Sequence, residues 1–180
     1  MRELHPAVSP SVAVYLGLGS NVGDRLANLR TSLSRLARGV VVVRTSSVYE
    51  TAPWGYEGQP PFLNMVCLAT TTLPPFDLLA LAKAIEVGLG RLPTFQYGPR
   101  AVDIDILFYG TEQIMAPALT IPHPRIQDRA FVLIPLQEMA PDLRHPAMGK
   151  SVRQLLAEMT DVRPVARWGP PLVAGEEADP

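Results

Sequence analysis

Two aspartates and two arginines form the residue set in this chain that is best suited to chemistry on phosphate groups. Asp103 and Asp105 are two positions apart in an otherwise apolar run, so in a β-strand both carboxylates would lie on one face. Carboxylates this close repel each other unless a cation lies between them, and a hard divalent cation prefers oxygen ligands. Arg100 stands just upstream of the pair, and Arg91 precedes it in the same segment. The pattern predicts a divalent metal site that handles phosphate.

The same two aspartates also have a structural interpretation. On the open face of an edge strand, acidic side chains can be solvated or can prevent pairing with another sheet. The flanking residues are strongly apolar here, and a Gly-Pro-Arg turn at 98–100 leads into the strand. This context favours the metal site over a solvated pair.

Asn64 is a further candidate, because it interrupts an apolar, strand-like segment although Asn has poor strand propensity. Its amide offers donors and an acceptor together, which suits the edge of a flat heterocycle. Phe62 would lie two residues away on the same face, where its ring could stack on such a heterocycle. For Phe62 taken alone, ordinary packing in the core is the better interpretation.

Glu86 and His123 are candidates that each have a structural alternative. Glu86 falls in the last turn of a predicted helix, where a negative charge opposes the helix dipole and needs a cation, such as Arg91, or solvent. His123 lies between two prolines that fix the backbone, and Arg125 and Arg129 follow, so its loop is cationic and suited to phosphate. Taken alone, a solvated acid explains Glu86 equally well, and a structural role explains a lone histidine better.

The glycine-rich run GLGSNVG at residues 17–23 follows a predicted strand and precedes a predicted helix. Its spacing does not match the G-x-G-x-x-G fingerprint of dinucleotide-binding folds, and no acidic residue stands at the ribose-binding position downstream. A Rossmann oxidoreductase is therefore disfavoured. The remaining interpretations are a tight turn with Asp24 as the helix N-cap, or a mobile glycine loop near a phosphate.

Length and composition indicate one soluble domain. The chain has 180 residues with 16 basic and 17 acidic side chains, so no strong field points to nucleic acid or an anionic membrane. Its single cysteine, Cys67, rules out a disulfide framework and is expected to be buried. Without a signal core or a membrane-spanning run, we expect a cytoplasmic monomer that has no nucleic-acid or membrane partner. We expect one domain over residues 1–168 and a flexible tail over 169–180.

The order of the predicted elements indicates an α+β fold. Apolar patterning predicts, in chain order, a strand over 12–18, a helix over 26–36, strands over 40–49 and 62–72, a helix over 78–89 and the aspartate-bearing strand. This β-α-β-β-α-β order is that of a ferredoxin-like sheet covered by helices. Additional elements are expected at 119–135 (a short strand, a turn and an apolar segment) and at 151–159 (a short helix). The segments 51–61 and 91–100 are long enough to be binding loops.

Six short motifs follow one another along the chain. They are GLGSNVGD, SSVYET, PWG followed by QPPFLNMV, GLGR, GPRAVDIDIL and IPHP. Each is weak alone, but the ordered set spans residues 12–160 and resembles the 6-hydroxymethyl-7,8-dihydropterin pyrophosphokinase family of folate biosynthesis. The resemblance implies a reaction in which the pterin hydroxymethyl oxygen attacks the β-phosphorus of ATP, AMP leaves and a diphosphate ester forms. It also implies Mg²⁺ as the metal, with two ions.

The resemblance implies roles for particular residues. The catalytic positions are Arg91, Arg100, Asp103 and Asp105, of which the two aspartates would hold the two Mg²⁺ ions. The positions on the ATP side are Lys83, Glu86, Arg91, Tyr97, Arg100, Ile106, Thr120, His123 and Arg129. The positions on the pterin side are Thr51, Trp54, Phe62, Asn64 and Phe131, with Phe62 and Phe131 on the two faces of the ring.

Three positions differ from the family pattern. Pro93 stands where a second arginine is usual, Tyr97 stands where tryptophan is frequent, and Pro124 replaces an aromatic residue of some relatives. The competing hypothesis is a non-catalytic nucleotide- or metal-binding module on the same kind of sheet. Such a module would keep both aspartates but would not need Asn64 or two long loops.

Overall fold

The computed structural model describes residues 10–53, 58–90, 99–160 and 164–173, and these form eight strands and four helices. The strands are β1 (Val12–Ser20), β2 (Val41–Thr45), β3 (Val48–Thr51), β4 (Phe62–Thr71), β5 (Asp103–Tyr109), β6 (Ile114–Ala116), β7 (Leu119–Ile121) and β8 (Val165–Gly169). The helices are α1 (Arg25–Leu36), α2 (Pro75–Gly88), α3 (Ala130–Met139) and α4 (Val152–Ala157). None of the helices in these ranges has both the length and the apolar character needed to cross a lipid bilayer.

Six strands form one antiparallel sheet in the order β5-β1-β4-β3-β8, and β2 pairs with the other end of β4. The order β5-β1-β4, followed by β2 and β3, is that of a ferredoxin-like sheet, so the predicted α+β fold class is confirmed. Strands β6 and β7 form a separate two-stranded ribbon. The aspartate-bearing strand β5 lies at the edge of the large sheet, beside β1.

Helices cover both faces of the sheet, and a hydrophobic core lies under each cover. On one face, Leu16 of β1 and Ile104 of β5 pack with Leu33 of α1 and other residues of α1 and α2. On the opposite face, Val66 of β4 and Phe108 of β5 pack against α3 and α4. Because successive residues of a strand alternate between faces, this division fixes which side chains share a face with the aspartates.

The predicted strand over 40–49 is wrong in extent, because the structure has two strands there. The strand is interrupted at Ser46 and Ser47, which are both fully buried. The backbone N–H and the hydroxyl of Ser47 donate to the Glu138 carboxylate of α3 at 3.0 and 2.8 Å, instead of continuing a strand ladder. The partner that divides the strand is therefore a side chain 91 residues away.

Two elements near the C-terminus were not predicted as such. The apolar segment after residue 126 contains α3, in which six of ten residues are buried and Pro135 lies inside the helix. Strand β8 pairs with β3, and Leu172 beyond it is buried and accepts a hydrogen bond at its carbonyl from Thr45. The packed chain therefore extends past residue 168, and a flexible tail stays a prediction for residues 174–180, which lie outside the described ranges.

Replacing Glu138 by alanine should lower the free energy of unfolding by about 1–3 kcal/mol, because the buried donors of Ser47 would lose their acceptor. Urea unfolding followed by circular dichroism measures this change. The control is Glu158→Ala, which removes an exposed carboxylate paired with Lys150 and should cost less than about 0.5 kcal/mol. Equal losses in the two variants would contradict the assignment of Glu138 as the residue that divides the strand.

Candidate active site

The candidate site lies on the sheet face that α1 and α2 do not cover, near the C-terminal end of β1. In the strand register, Gly19 of β1 is paired with Asn64 of β4 on one side and with Asp103 of β5 on the other. Gly17 of β1 is paired with Asp105. Directly paired residues of antiparallel strands project to the same face, so the amide and both carboxylates share this face. The Asn64 amide and the two carboxylates lie on opposite sides of Gly17 and Gly19, which we call the glycine floor of the site.

Gly19 is required at its position by the side chain of Asn64. A Cβ atom on Gly19 would lie 2.9 Å from the Asn64 Oδ1 atom, which is closer than real contacts of this kind. A Cβ on Gly17 would lie 3.4 Å from the side chain of Leu107, an ordinary separation. The sequence predicted a glycine turn or loop here, but the first two glycines of the run are part of the strand.

The two aspartates share one face as predicted, and each is paired with an arginine. Arg100 donates from Nη1 to Asp103 Oδ2 at 2.9 Å, and Arg129 donates from Nη1 to Asp105 Oδ2 at 2.8 Å. The side chains of Asp103 and Asp105 are 26% and 29% exposed, so both carboxylates are accessible to solvent. The positive charge that the sequence pattern demanded is thus supplied in this structure by two guanidinium groups.

Arg129 lies between the carboxylate pair and an aromatic ring. Its guanidinium carbon is 5.6 Å from the centroid of the Phe131 ring, within the range of a cation–π contact. Its Nε atom is buried and has no hydrogen-bond partner among the described residues. A buried donor without a partner costs free energy, so this arginine would gain from an added acceptor.

His123 lies beside Asp105. Its backbone N–H donates to the carbonyl of Leu107 at 3.0 Å, and its Nε2 atom is 3.8 Å from Asp105 Oδ2. Burial lowers the pKa of His123, and Arg129 and Arg125 act in the same direction, while Asp105 and Asp103 oppose them. The lowered pKa favours the neutral imidazole, whose ring can take part in hydrogen bonds without adding charge.

Glu86 is buried against the edge of β5, and it has the cation that its position in the helix required. Its Oε1 atom accepts from the backbone N–H of Ile104 and from Lys83 Nζ, each at 2.8 Å. Ile104 lies between the two aspartates in sequence. Glu86 therefore anchors the strand that carries the carboxylate pair, and it covers the free edge of the sheet there.

Three of the residues predicted for a heterocycle, Thr51, Phe62 and Asn64, lie together on the other side of the glycine floor. Asn64 and Thr51 are buried, and the Asn64 amide donates to Thr51 Oγ1 at 2.7 Å. Phe62 is paired with Thr51 in the register and lies on the same face. Phe131 is in the first turn of α3, beside Arg129.

The remaining predicted residues are placed differently. The side chain of Ile106 is buried in the core under α1 and α2, so at that position a ligand on the aspartate face could meet backbone groups. Thr120 lies on β7, which contacts β5. Trp54, Arg91 and Tyr97 lie outside the described residues, as does Pro93.

Asn21 is a residue of the site that sequence reasoning missed. It is 1% exposed, and its side chain hydrogen-bonds to the backbone of Arg100 and to residues 59 and 60. The sequence feature that could have indicated Asn21 is its position at the end of a predicted buried strand. A simple turn without a role in the site explains that position equally well. The interpretation of Asp24 as the N-cap of α1 is confirmed, since its side chain accepts from the Ala27 N–H at 2.9 Å.

Cys67 has no part in the site. It is fully buried in the core under α1 and α2, as predicted. Burial raises the pKa of its thiol to about 12, so the sulfur stays protonated and is a poor nucleophile at neutral pH.

Comparisons with known proteins agree with one another. A family model described as 7,8-dihydro-6-hydroxymethylpterin-pyrophosphokinase matches residues 15–141. The 2-amino-4-hydroxy-6-hydroxymethyldihydropteridine pyrophosphokinase of Aquifex aeolicus is 42% identical over 147 residues, which are 82% of this chain and 92% of that protein. The folic acid synthesis protein of Pneumocystis carinii is 40% identical over 156 residues, which are 85% of this chain and 21% of that protein. The chain thus spans about a fifth of the fungal protein.

A solved structure has the same fold. Wild-type HPPK-DHPS of Plasmodium falciparum superposes with a TM-score of 0.68 and 17% sequence identity, over 83% of this chain and 44% of that chain. At this identity the similarity establishes the fold of the domain alone.

Replacing Gly19 by alanine should displace the Asn64 amide and destabilise the protein by about 1–3 kcal/mol, because the added methyl group overpacks the site. Gly17→Ala is the matched control on the same strand face, and it should be neutral or slightly stabilising, since alanine loses less backbone entropy on folding. Urea unfolding gives the free energies, and the side-chain amide resonances of Asn64 report its displacement. Equal tolerance of both substitutions would show that the amide does not depend on Gly19.

Proposed function

The chain belongs to the 7,8-dihydro-6-hydroxymethylpterin-pyrophosphokinase family, and we propose that it transfers the pyrophosphoryl group of ATP to the hydroxymethyl group of 6-hydroxymethyl-7,8-dihydropterin, with release of AMP. One observation carries the proposal beyond family membership. The carboxylate pair and the buried Asn64 amide share one sheet face, with only β1 between their strands. Neighbouring strands are about 4.8 Å apart, so the two sides are separated by roughly 10 Å, which suits a triphosphate on one side and a pterin on the other.

The donor set on the phosphate side fits Mg²⁺. Within the part of the chain that the structure describes, no three His, Cys, Asp or Glu side chains converge as a metal cage. Mg²⁺ characteristically uses one or two carboxylates together with substrate phosphates, and Asp103 and Asp105 provide that number. Two Mg²⁺ ions held there would neutralise the phosphates of ATP and favour ionisation of the attacking hydroxyl group.

Two arginines of the chain, Arg100 and Arg129, would act on the phosphates. Arg100 and Arg129 each reach an aspartate that would hold metal, so a change of partner from carboxylate to phosphate needs only a short movement. Guanidinium groups match phosphate oxygens in geometry and charge. The Nε atom of Arg129, which has no hydrogen-bond partner in the described part of the chain, gives this residue an additional reason to bind an oxygen.

The pterin side would be set by hydrogen bonding and stacking. Thr51 accepts from the Asn64 amide nitrogen, which fixes the amide and places its Oδ1 atom over Gly19. In this position Oδ1 can accept from a donor at the edge of the ring. Phe62, on the same face, and Phe131, from α3, would stack on the two faces of the pterin. Trp54 is also assigned to the proposed pterin side, on the sequence pattern alone.

The other residues that we propose contact the nucleotide are included because they lie on or near β5. His123 lies 3.8 Å from Asp105, and Lys83 contacts Glu86 at the strand edge. Ile106 and Thr120 follow on β5 and β7. Arg91 and Tyr97 are proposed from the sequence pattern. A non-catalytic metal-binding module is not favoured, because it gives no reason for a glycine floor and a buried, oriented Asn64 beside the carboxylates.

Pterin-dependent release of AMP from ATP tests the proposed reaction. Asp103→Asn and Asp105→Asn should each lower the single-turnover rate at least about a hundredfold, which is comparable to losing one preorganised electrostatic contact. The matched control is Asp142→Asn, whose exposed carboxylate pairs with Arg153 at the surface and should leave the rate unchanged. Near-normal rates in both site variants at saturating Mg²⁺ would remove the aspartates from the mechanism.

The same variants should fold. The two ion pairs are partly exposed, so the loss of either should change the free energy of unfolding by about 1 kcal/mol or less. Urea unfolding separates this small effect from the effect on rate.

Asn64→Ala should weaken pterin binding by about 1–3 kcal/mol, because polar groups of the bound ring lose their partners. Binding of ATP without pterin should not change, since Asn64 lies on the other side of β1 from the aspartates. Isothermal titration calorimetry with each ligand measures both affinities. An equal loss of ATP and pterin affinity would place Asn64 in a different role.

A further inference from the structure

We propose that Asn21 is a positioning residue that fixes the phosphate side of the site relative to the pterin side, through hydrogen bonds to Arg100 and Pro60. Asn21 follows the last residue of β1. The expected effect of Asn21 on the reaction rate rests on the proposed function. Its expected effect on the structure rests only on the observed hydrogen bonds.

On the phosphate side, Asn21 makes two hydrogen bonds with the backbone of Arg100, accepting one and donating the other. The Arg100 N–H donates to Asn21 Oδ1 at 2.8 Å, and the Asn21 N–H donates to the Arg100 carbonyl at 3.3 Å. The Arg100 side chain starts from this fixed point and reaches Asp103. The position of the guanidinium group beside the carboxylate pair therefore depends on the Asn21 amide.

On the pterin side, the same amide holds the segment that enters β4. The Nδ2 atom of Asn21 donates to Gln59 Oε1 at 2.9 Å and to the Pro60 carbonyl at 3.3 Å. Phe62, the proposed stacking residue, comes two positions after Pro60. Arg25 adds a second anchor to this segment by donating to the Pro61 carbonyl at 2.9 Å.

Asn21 can connect the two sides because of where the strand ladder ends. The last paired residues of β1 are Ser20, opposite Leu63 of β4, and Gly19, opposite Asp103 of β5. Beyond them the neighbouring chains are no longer joined to β1 by strand pairing. The Asn21 side chain is 1% exposed and continues the link in both directions, with its oxygen toward one neighbour and its nitrogen toward the other.

This arrangement acts on rate more than on folding. Transfer between two bound substrates depends on their relative placement, and a misplacement of about 1 Å can cost on the order of a hundredfold in rate. Asn28 is a natural control, because it lies nearby in the first turn of α1 and its amide donates to Ser20 Oγ and to the Val22 carbonyl, so it reaches neither side of the site.

We expect Asn21→Ala to lower the single-turnover rate of pterin-dependent AMP release by about 10- to 100-fold. Asn28→Ala should leave this rate within about twofold of wild type, and urea unfolding should show both variants folded. A double-mutant cycle with Arg100→Ala tests the route of action, since coupled residues give non-additive effects. With Arg100 already removed, Asn21→Ala should cost less than about threefold more. Full additivity, or equal rates for the Asn21 and Asn28 variants, would overturn the proposal.

A structural readout keeps the proposal independent of the reaction. In Asn21→Ala, amide hydrogen exchange at Arg100 should accelerate and the side-chain amide resonances of Gln59 should shift, while both should stay as in wild type in Asn28→Ala. Accelerated exchange with no AMP release from the wild-type protein would overturn the proposed reaction and leave the linkage standing. Unchanged exchange at Arg100 together with unchanged side-chain resonances of Gln59 would overturn the linkage.

Discussion

The repulsion between two carboxylates on one face of β5 is the constraint on which the rest of the site depends. Arg100 balances Asp103 from the segment before the strand, and Arg129 balances Asp105 from the segment before α3. Partly exposed ion pairs contribute little to stability, so this arrangement is better explained by binding than by folding. It leaves two cations beside the place where a metal-bound triphosphate would lie.

A second constraint is that both sides of the site must use one face of the same sheet. Only β1 separates the strand of Asn64 from the strand of the aspartates, so a side chain at Gly17 or Gly19, whose positions face the site, would project between the two substrates. Gly17 and Gly19 remove this obstruction. Glycine weakens a strand by roughly 0.5–1 kcal/mol per position, and β1 tolerates this because it is paired with neighbours on both sides.

The sequence could predict those parts of the site that depend on local periodicity. Alternation along single strands placed Asp103 with Asp105 and Phe62 with Asn64, and the element order indicated the ferredoxin-like sheet. It could not predict contacts between distant segments, such as Arg129 with Asp105 or Ser47 with Glu138. Helix α3 also has no clear periodic pattern, because most of its residues are buried and it contains a proline.

Phosphoryl-type transfer depends mostly on positioning and charge neutralisation, and this explains how the work is divided between sheet and loops. The aspartates and Asn64 lie on strands, whose pairing holds them rigidly. Arg100 lies outside any strand, where the ladder cannot fix it. At that point a single buried amide, from Asn21, replaces strand pairing and connects both flanking segments. Through this amide, the fixed geometry of the sheet extends one residue beyond the end of β1, to the arginine that we propose binds phosphate.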